Sequence, residues 1–356
     1  MNKEKIRQDL LEKLPQLCDA HGVSGYEEDV TELVKLEIGT YVDEMKVDAL
    51  GNLIAKKSGN GKKKVMVAAH LDEIGLMIRH IDENGFLYAE KIGGVRPQNL
   101  FSRTCVIKTK KGIVPGVINS INPGRPKQMT TIPEVNEFFI DVGASNLDDI
   151  CELGIEIGNT VAIDYEFKQL GKNKILGRAL DNRLLMFVLI QTMKYINENN
   201  PEVPDIYPVF TVQEEVGCRG ALTAAYTIEP DEAVALDITI ANDTPQIPAH
   251  ERISELGGGP SIKLMDKVAN GQGSITPPKI VEAMKKVAYD NHIPFQLEVI
   301  SAGTTDAATI QLAKGGVPSG GILVPTRYVH AHEMASIDDI VHAIDLLYHY
   351  LVSLGE

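Results

Sequence analysis

The sequence predicts an α/β protein, with a central mixed sheet flanked by helices and a small β-rich domain inserted into the chain. From residue 174 onward, strand and helix patterns alternate, which implies a sheet with helices on both faces. Residues 73–165 instead carry short strand patterns and one short helix. The length of 356 residues exceeds one ordinary core. We therefore expect an α/β domain of residues 1–72 and 166–356, interrupted by a second domain of residues 73–165.

The first part of the α/β domain has clear patterns. They predict, in order, a helix over residues 3–20, a second helix after Ser24, a hairpin over residues 42–57 and a strand over residues 63–69 that ends at His70. Ser24 or Gly25 is expected to cap the second helix, because the residues that follow are acidic and suit its first turn.

The inserted block reads as a small β-barrel or sandwich of about 90 residues. Strand patterns cover residues 74–81, 86–92, 104–109, 113–118, 138–142 and 160–163. Residues 82–85, Asp-Glu-Asn-Gly, have the composition of a hairpin turn. A short helix is expected over Leu147–Leu153. No candidate catalytic residue falls in this block, so we expect its role to be assembly.

The remaining chain returns to alternating strands and helices. Strands are predicted over residues 174–180, 206–213, 231–237, 261–264, 295–300 and 317–323. Helices are predicted over residues 184–198, 220–226, 277–291, 306–313 and 337–354. Each apolar strand pattern therefore has a covering helix close to it in sequence.

Composition limits the partners. The net charge of −14 leaves no basic surplus to neutralise phosphates, so nucleic acid and anionic membranes are not expected partners. No apolar stretch has the length of a membrane span, and the charged N-terminus does not resemble a signal peptide. Four well-separated cysteines favour free thiols in a reducing cytoplasm. Cys218, which closely follows two glutamates, is expected to be a buried packing residue.

Polar residues follow several of the apolar strands. His70 ends one strand, at a position where open α/β sheets bind ligands, and Asp72 is close enough to hold its imidazole in one tautomer. Asp181 precedes a helix. It is either a simple helix cap or a carboxylate whose two oxygens each reach a metal ion.

A pair of adjacent glutamates is the most informative feature. Glu214 and Glu215 follow an apolar strand and precede Gly217, which suggests a buried strand end where unpaired carboxylates are costly. A metal ion would compensate one glutamate, and the other is then free to act as a general base. Asp237 and His330 follow further strand patterns and are candidate ligands; His332 competes with His330 for this assignment.

These segments together resemble the glutamyl-aminopeptidase and tetrahedral-aminopeptidase family of dinuclear metallopeptidases, over essentially the whole chain. The matching segments are residues 22–28, 69–75, 179–183, 213–221, 236–245, 257–262, 302–307 and 327–330. The resemblance implies that Asp181 bridges two metal ions, that His70 and Asp237 complete one site, and that Glu215 and His330 complete the other.

The resemblance also implies an activity. Asp72 would orient His70, and Glu214 would activate a water molecule for hydrolysis of the N-terminal residue of short peptides with free N-termini. Two divalent ions per subunit are expected, with zinc or cobalt favoured and manganese as an alternative. The implied fold is a zinc-exopeptidase-like domain with an inserted β-barrel or PDZ-like dimerisation domain. A dimer-based homo-oligomer, a dodecamer by analogy, is expected. The loops over residues 238–246 and 301–306 are expected to line the side-chain pocket.

Two other function classes remain as alternatives. A glucanase-like glycoside hydrolase also uses paired carboxylates, but it leaves both histidines unexplained. The chain has no Trp and only 5% aromatic residues with which to stack sugars. A non-enzymatic binding protein predicts no bound metal. Amino-acid release, reducing-sugar release and metal content distinguish the three.

Overall fold

The computed structural model describes residues 2–120, 132–267 and 273–355. Its helices are α1 (Lys3–Asp19), α2 (Glu28–Ile38), α3 (Leu147–Leu153), α4 (Leu180–Asn199), α5 (Arg219–Ile228), α6 (Pro278–Asp290), α7 (Ala307–Ile310) and α8 (Ile337–Ser353). Among these described segments, none of the helices combines the length and apolarity that a membrane crossing requires.

The strands fall into two groups. Those of the α/β domain are β1 (Glu44–Val47), β2 (Leu53–Lys56), β3 (Lys64–His70), β10 (Lys168–Leu170), β11 (Lys174–Gly177), β12 (Asp205–Thr211), β13 (Glu232–Ile240), β14 (Ser261–Met265), β15 (Gln296–Val299), β16 (Ser319–Arg327) and β17 (Glu333–Ser336). Those of the inserted block are β4 (Gly75–Ile81), β5 (Leu87–Ile92), β6 (Arg103–Thr109), β7 (Gly112–Asn119), β8 (Phe139–Asp141) and β9 (Thr160–Ile163).

The α/β domain is built on one mixed sheet, as the sequence predicts. Its strand order is β1-β2-β12-β3-β13-β16-β17-β11-β10, with β14 and β15 attached beside β16. The central strands β12, β3, β13 and β16 are parallel. Their carboxyl ends therefore meet at one edge, which is where open α/β sheets bind ligands.

Helices cover both faces of this sheet because its central strands are apolar on both sides. In β3, Val65, Val67 and Ala69 belong to the larger core, with α1, α2, α4 and α8. The alternate residues Met66 and Ala68 belong to a smaller core, with α5 and α7. The strand pattern that predicted β3 from sequence thus reflects burial on two faces.

The inserted block forms a closed barrel in the order β4-β5-β8-β7-β6-β9. Its apolar core is separate from that of the α/β domain and includes Leu76, Leu87, Ile107, Ile140 and Val161. The structure therefore has a barrel where the sequence left barrel and sandwich open. Residues 121–131 of the expected domain lie outside the described residues.

Local differences from the sequence expectations have physical causes. Helix α2 begins at Glu28 with Glu27 at its cap position, and neither Ser24 nor Gly25 caps it. The Ser24 hydroxyl instead donates a hydrogen bond to Asp72. Strands β10 and β17 were not predicted, because they are short and partly polar. They depend on pairing with β11, between them at the edge of the sheet.

Candidate metal centre and active site

The parallel strands bring all the predicted site residues together. His70 is the last residue of β3, and Asp237 lies in the adjacent strand β13. Glu214 and Glu215 follow β12, whose Thr211 is paired with His70. Asp181 lies at the start of α4, and His330 lies in the loop after β16. The site therefore forms where the carboxyl ends of neighbouring strands meet.

The first potential ligand set consists of His70, Asp181 and Asp237, all buried. His70 Nε2 lies 3.1 Å from Asp181 Oδ1 and 3.9 Å from Asp237 Oδ1. Burial, followed by the negative charge of Asp181, raises the pKa of Asp237 well above its usual value. A cation between these groups would offset that repulsion.

The second set consists of Asp181, Glu215 and His330. His330 Nε2 lies 3.5 Å from Asp181 Oδ2 and 3.2 Å from Glu215 Oε1. Burial alone would lower the pKa of His330, but hydrogen bonds with these two carboxylates raise it to about 11. The other candidate, His332, points away: its ring stacks on Tyr165 with centroids 4.9 Å apart.

Asp181 belongs to both sets through different oxygens. Its Oδ1 faces His70 and its Oδ2 faces His330. The two sets together contain two imidazoles and three carboxylates, with one carboxylate shared. This combination suits two divalent ions such as zinc, cobalt or manganese. The residues present therefore fit the metal ions that the resemblance implies.

Asp72 connects the two halves of the site. The Nδ1 atom of His70 lies 3.1 Å from the Asp72 backbone oxygen and 3.4 Å from its Oδ1. The carboxylate also accepts hydrogen bonds from the backbone nitrogens of Glu214 at 2.9 Å and Glu215 at 3.1 Å. Asp72 thus holds His70 and also fixes the backbone that carries both glutamates.

Glu214 lies beside the first ligand set, with Oε2 at 3.9 Å from His70 Nε2. Burial is the largest cause that raises its pKa well above the usual value, and the negative charges of Asp237 and Asp306 add to it. A carboxylate with a raised pKa is a stronger proton acceptor. Cys218 is buried, as predicted, but it does more than pack: its thiol donates to Glu214 Oε1 at 3.1 Å.

Glu333 is a buried site residue that the sequence analysis missed. Its Oε2 accepts a hydrogen bond from the Asp181 backbone nitrogen at 3.0 Å, and its Oε1 accepts one from the His330 nitrogen at 2.8 Å. Burial raises its pKa to about 8. The available signal was an acidic residue three positions after His330, although its partner Asp181 is distant in sequence.

The inserted domain, for which the sequence predicts a role in assembly, also approaches the site. Gly93 and Gly94, in the loop after β5, approach Glu215 and His330. Neither glycine carries a functional group, so this contact could not be predicted from the sequence. The barrel therefore limits the space available to two of the candidate ligands.

A cavity of about 640 Å³ opens beside the two ligand sets. Both segments that the sequence analysis assigned to the pocket contribute to it. Ile238, Thr239 and Ile240 do so from the end of β13, which continues past Asp237, so the expected loop is a strand there. Residues 302–305 contribute from the loop between β15 and α7. Lys263, on β14, and Glu298, on β15, also line the cavity. Neither was predicted as a site residue.

Comparison with known proteins gives matches over most of the chain. The family model described as M42 glutamyl aminopeptidase matches residues 51–346. The lysyl aminopeptidase of Pyrococcus furiosus is 35% identical over 94% of this chain and 94% of its own length.

Solved structures show the same fold. An aminopeptidase from the archaeon Desulfurococcus kamchatkensis is 39% identical, with a TM-score of 0.92 over 97% of this chain and 95% of that one. The TET1 peptidase of Pyrococcus horikoshii, which can assemble into a tetrahedron or a large octahedral shell, is 30% identical. Its TM-score is 0.86 over 96% of this chain and 99% of that one. The chain belongs to the M42 glutamyl aminopeptidase family of metallopeptidases.

Proposed function

We propose that this aminopeptidase removes the N-terminal residue of short peptides, and that each of its subunits holds two divalent metal ions for this reaction. The observation that carries this proposal is that Asp181 belongs to both ligand sets. Its Oδ1 faces His70 and its Oδ2 faces His330. His70 and Asp237 would complete one site, and Glu215 and His330 the other. Zinc or cobalt suits these ligands, and manganese is the alternative. Bound ions would supply Lewis acidity and lower the pKa of water.

The protein's own groups then move the proton. Glu214 is the general base: it accepts the proton of the attacking water and passes it to the amine that leaves when the peptide bond breaks. Its Oε2, 3.9 Å from His70 Nε2, lies beside the first ligand set without belonging to it. Asp72 acts through others, since it fixes His70 and the backbone of Glu214 and Glu215.

The surplus of carboxylates supports an exopeptidase over an endopeptidase. A free α-amine is a cation or ligand that an acid-rich centre favours, and the net charge of −14 attracts it. Peptides with free N-termini should therefore be substrates. N-acetylation of the same peptides should abolish cleavage, and equal rates on free and acetylated forms would refute this assignment.

We also propose a cytoplasmic homo-oligomer. The four cysteines are free, which suits a reducing compartment. Its assembly would proceed from dimers formed through residues 73–165, with a dodecamer as the end point. The tetrahedron or large octahedral shell of the Pyrococcus horikoshii relative supports a large assembly of identical subunits. Sedimentation of the purified protein tests this, and an active monomer would contradict it.

Metal content and activity on one preparation test the central proposal. After dialysis, wild-type protein should retain close to two ions per subunit, and Asp181→Asn should lose both, since it contributes to both sets. The matched control is Asp148→Asn, an exposed residue of α3. Activity is measured on aminoacyl-anilides with added zinc, cobalt or manganese.

A β-glucan assay run in parallel tests the glycoside-hydrolase alternative, which predicts reducing sugar and no amine release.

A further inference from the structure

A buried group of charged residues lies in the cavity wall beyond Asp237. Lys263, on β14, is paired in register with Glu298, on β15. The ammonium of Lys263 lies 3.1 Å from Asp266 Oδ2 and 3.1 Å from Glu298 Oε1. All three residues are at most 3% exposed, yet Lys263 and Glu298 line the cavity. Charged side chains are rarely buried in a cavity wall without a partner.

The sheet makes room for this group. The neighbouring strand β16 has Gly321, where an added Cβ would lie 3.1 Å from the Cβ of Lys263. Lys263 therefore packs over a position without a side chain. Burial alone would lower the pKa of Lys263, but the negative charges of Glu298 and Asp266 raise it above its usual value. The ammonium of Lys263 is thus charged, and it already contacts the carboxylates of both Asp266 and Glu298.

The two carboxylates differ in their remaining partners. Asp266 also accepts hydrogen bonds from the backbone nitrogen and hydroxyl of Ser274, so both its oxygens are engaged. Within the part of the chain that the structure describes, Glu298 has only the ionic contact with Lys263, and neither of its oxygens accepts a hydrogen bond of regular geometry. This carboxylate, 0% exposed, therefore has one cation beside Oε1 and, among the described residues, no donor at Oε2.

We propose that Glu298 binds the side chain of the substrate's N-terminal residue and selects a basic one, lysine or arginine. This inference rests on the proposed function, because it assumes that the N-terminal side chain enters this cavity. A terminal ammonium or guanidinium would supply the donor that Glu298 lacks.

The other side-chain classes fit less well. An aliphatic side chain would cover Glu298 and leave it without a donor, which is unfavourable for a buried carboxylate. An acidic side chain would bring a third carboxylate to a lysine that already neutralises two. Arg96 and Lys267 also line the cavity. Among the described residues, however, Lys263 is the cation paired with Glu298, so the excess of negative over positive charge among Lys263, Asp266 and Glu298 favours a cationic side chain at this point of the wall.

Selectivity among anilide substrates tests the proposal. With lysyl-, arginyl-, leucyl- and glutamyl-anilides, the wild-type protein should show kcat/KM at least about tenfold higher for lysine and arginine. Glu298→Gln should lower the lysine-to-leucine ratio of kcat/KM at least about tenfold. The matched control is Glu282→Gln, on the exposed face of α6, which should leave the ratio unchanged. A wild-type preference for leucine or glutamate, or an unchanged ratio in Glu298→Gln, would overturn the proposal.

A second measurement does not depend on the variant folding. Free lysine and arginine should inhibit the wild-type protein at concentrations at least about tenfold lower than norleucine or glutamate do. Equal inhibition by all four would overturn the proposal. If the metal-loaded protein hydrolyses none of the anilides, the proposed function itself fails; activity with another preference rejects only the role of Glu298.

Discussion

Gly94 of the barrel lies against the imidazole of His330, a candidate ligand in the α/β domain. A Cβ added at Gly94 would be 2.4 Å from His330 Nδ1, far inside van der Waals contact. A Cβ added at the adjacent Gly93 would lie 3.3 Å from the Cβ of Glu215. Two residues of one potential ligand set are thus held in place by backbone from the other domain.

Replacing Gly94 with alanine should therefore disturb the second ligand set. Because the added methyl group forces the His330 ring to shift, we expect Gly94→Ala to weaken metal retention about tenfold, as loss of a supporting contact does elsewhere. Metal titration followed by activity measures this. The control is Gly315→Ala, where an added Cβ meets nothing within 4 Å. Equal metal affinity in both variants would show that the contact does not constrain His330.

The sequence predicted most of the fold and the candidate site because both depend on strand ends. Apolar strands that stop at His70 or just before Glu214 are visible as local patterns, and parallel pairing then brings their ends to one edge. Gly94, Glu333 and Glu298 could not be predicted in the same way. Their importance comes from approaches between segments far apart in sequence. Of the three, Glu333 alone has a local signal, its position three residues after His330.

Glu333 illustrates a contact of that kind. It accepts hydrogen bonds from the backbone of both Asp181 and His330, and a glutamine has only one oxygen with which to replace them. We expect Glu333→Gln to leave one buried N–H without an acceptor, at a cost of about 1–3 kcal/mol, and to weaken metal retention. Thermal unfolding and metal content measure the two effects. Glu166→Gln, at an exposed position, is the control; if both variants behave alike, Glu333 does not support the site.

The thiol of Cys218 should affect the efficiency of Glu214. Its contact with Glu214 Oε1, at 3.1 Å, helps to fix the carboxylate. Cys218→Ala removes the donor and should lower kcat by a factor of roughly 3 to 10, with little change in KM, since a single hydrogen bond contributes about 1 kcal/mol. Cys218→Ser keeps a donor and should stay within about twofold of wild type. Equal losses in both variants would assign the effect to packing.

His21 should make the protein less stable in acid. Its Nε2 contacts Thr160 Oγ1 of the barrel at 2.7 Å, its Nδ1 has no hydrogen-bond partner among the residues that the structure describes, and burial lowers its pKa to about 4. Because the unfolded state binds the proton more tightly, the stability contributed by neutral His21 is present above pH 6.5 and is lost as the pH falls towards 4.

The expected loss is about 2 kcal/mol between pH 7 and pH 5. Denaturant unfolding at several pH values, on metal-saturated protein, measures it. His21→Gln cannot titrate, so its free energy of unfolding should fall less over the same interval. Parallel pH profiles for the variant and the wild-type protein would rule out His21 as a source of acid sensitivity.

The adjacent glutamates allow the sharpest test of the site, because each serves as the control for the other. Glu215 belongs to the second potential ligand set, whereas Glu214 stands beside the first set without belonging to it. We expect Glu214→Gln to lower kcat at least about 100-fold while metal content stays near that of wild type, since only proton transfer is lost. Glu215→Gln should instead weaken metal retention, and excess metal should restore part of its activity. Elemental analysis and anilide hydrolysis on the same preparations separate the two outcomes. If Glu214→Gln loses metal and Glu215→Gln retains it, the roles of the two glutamates are reversed.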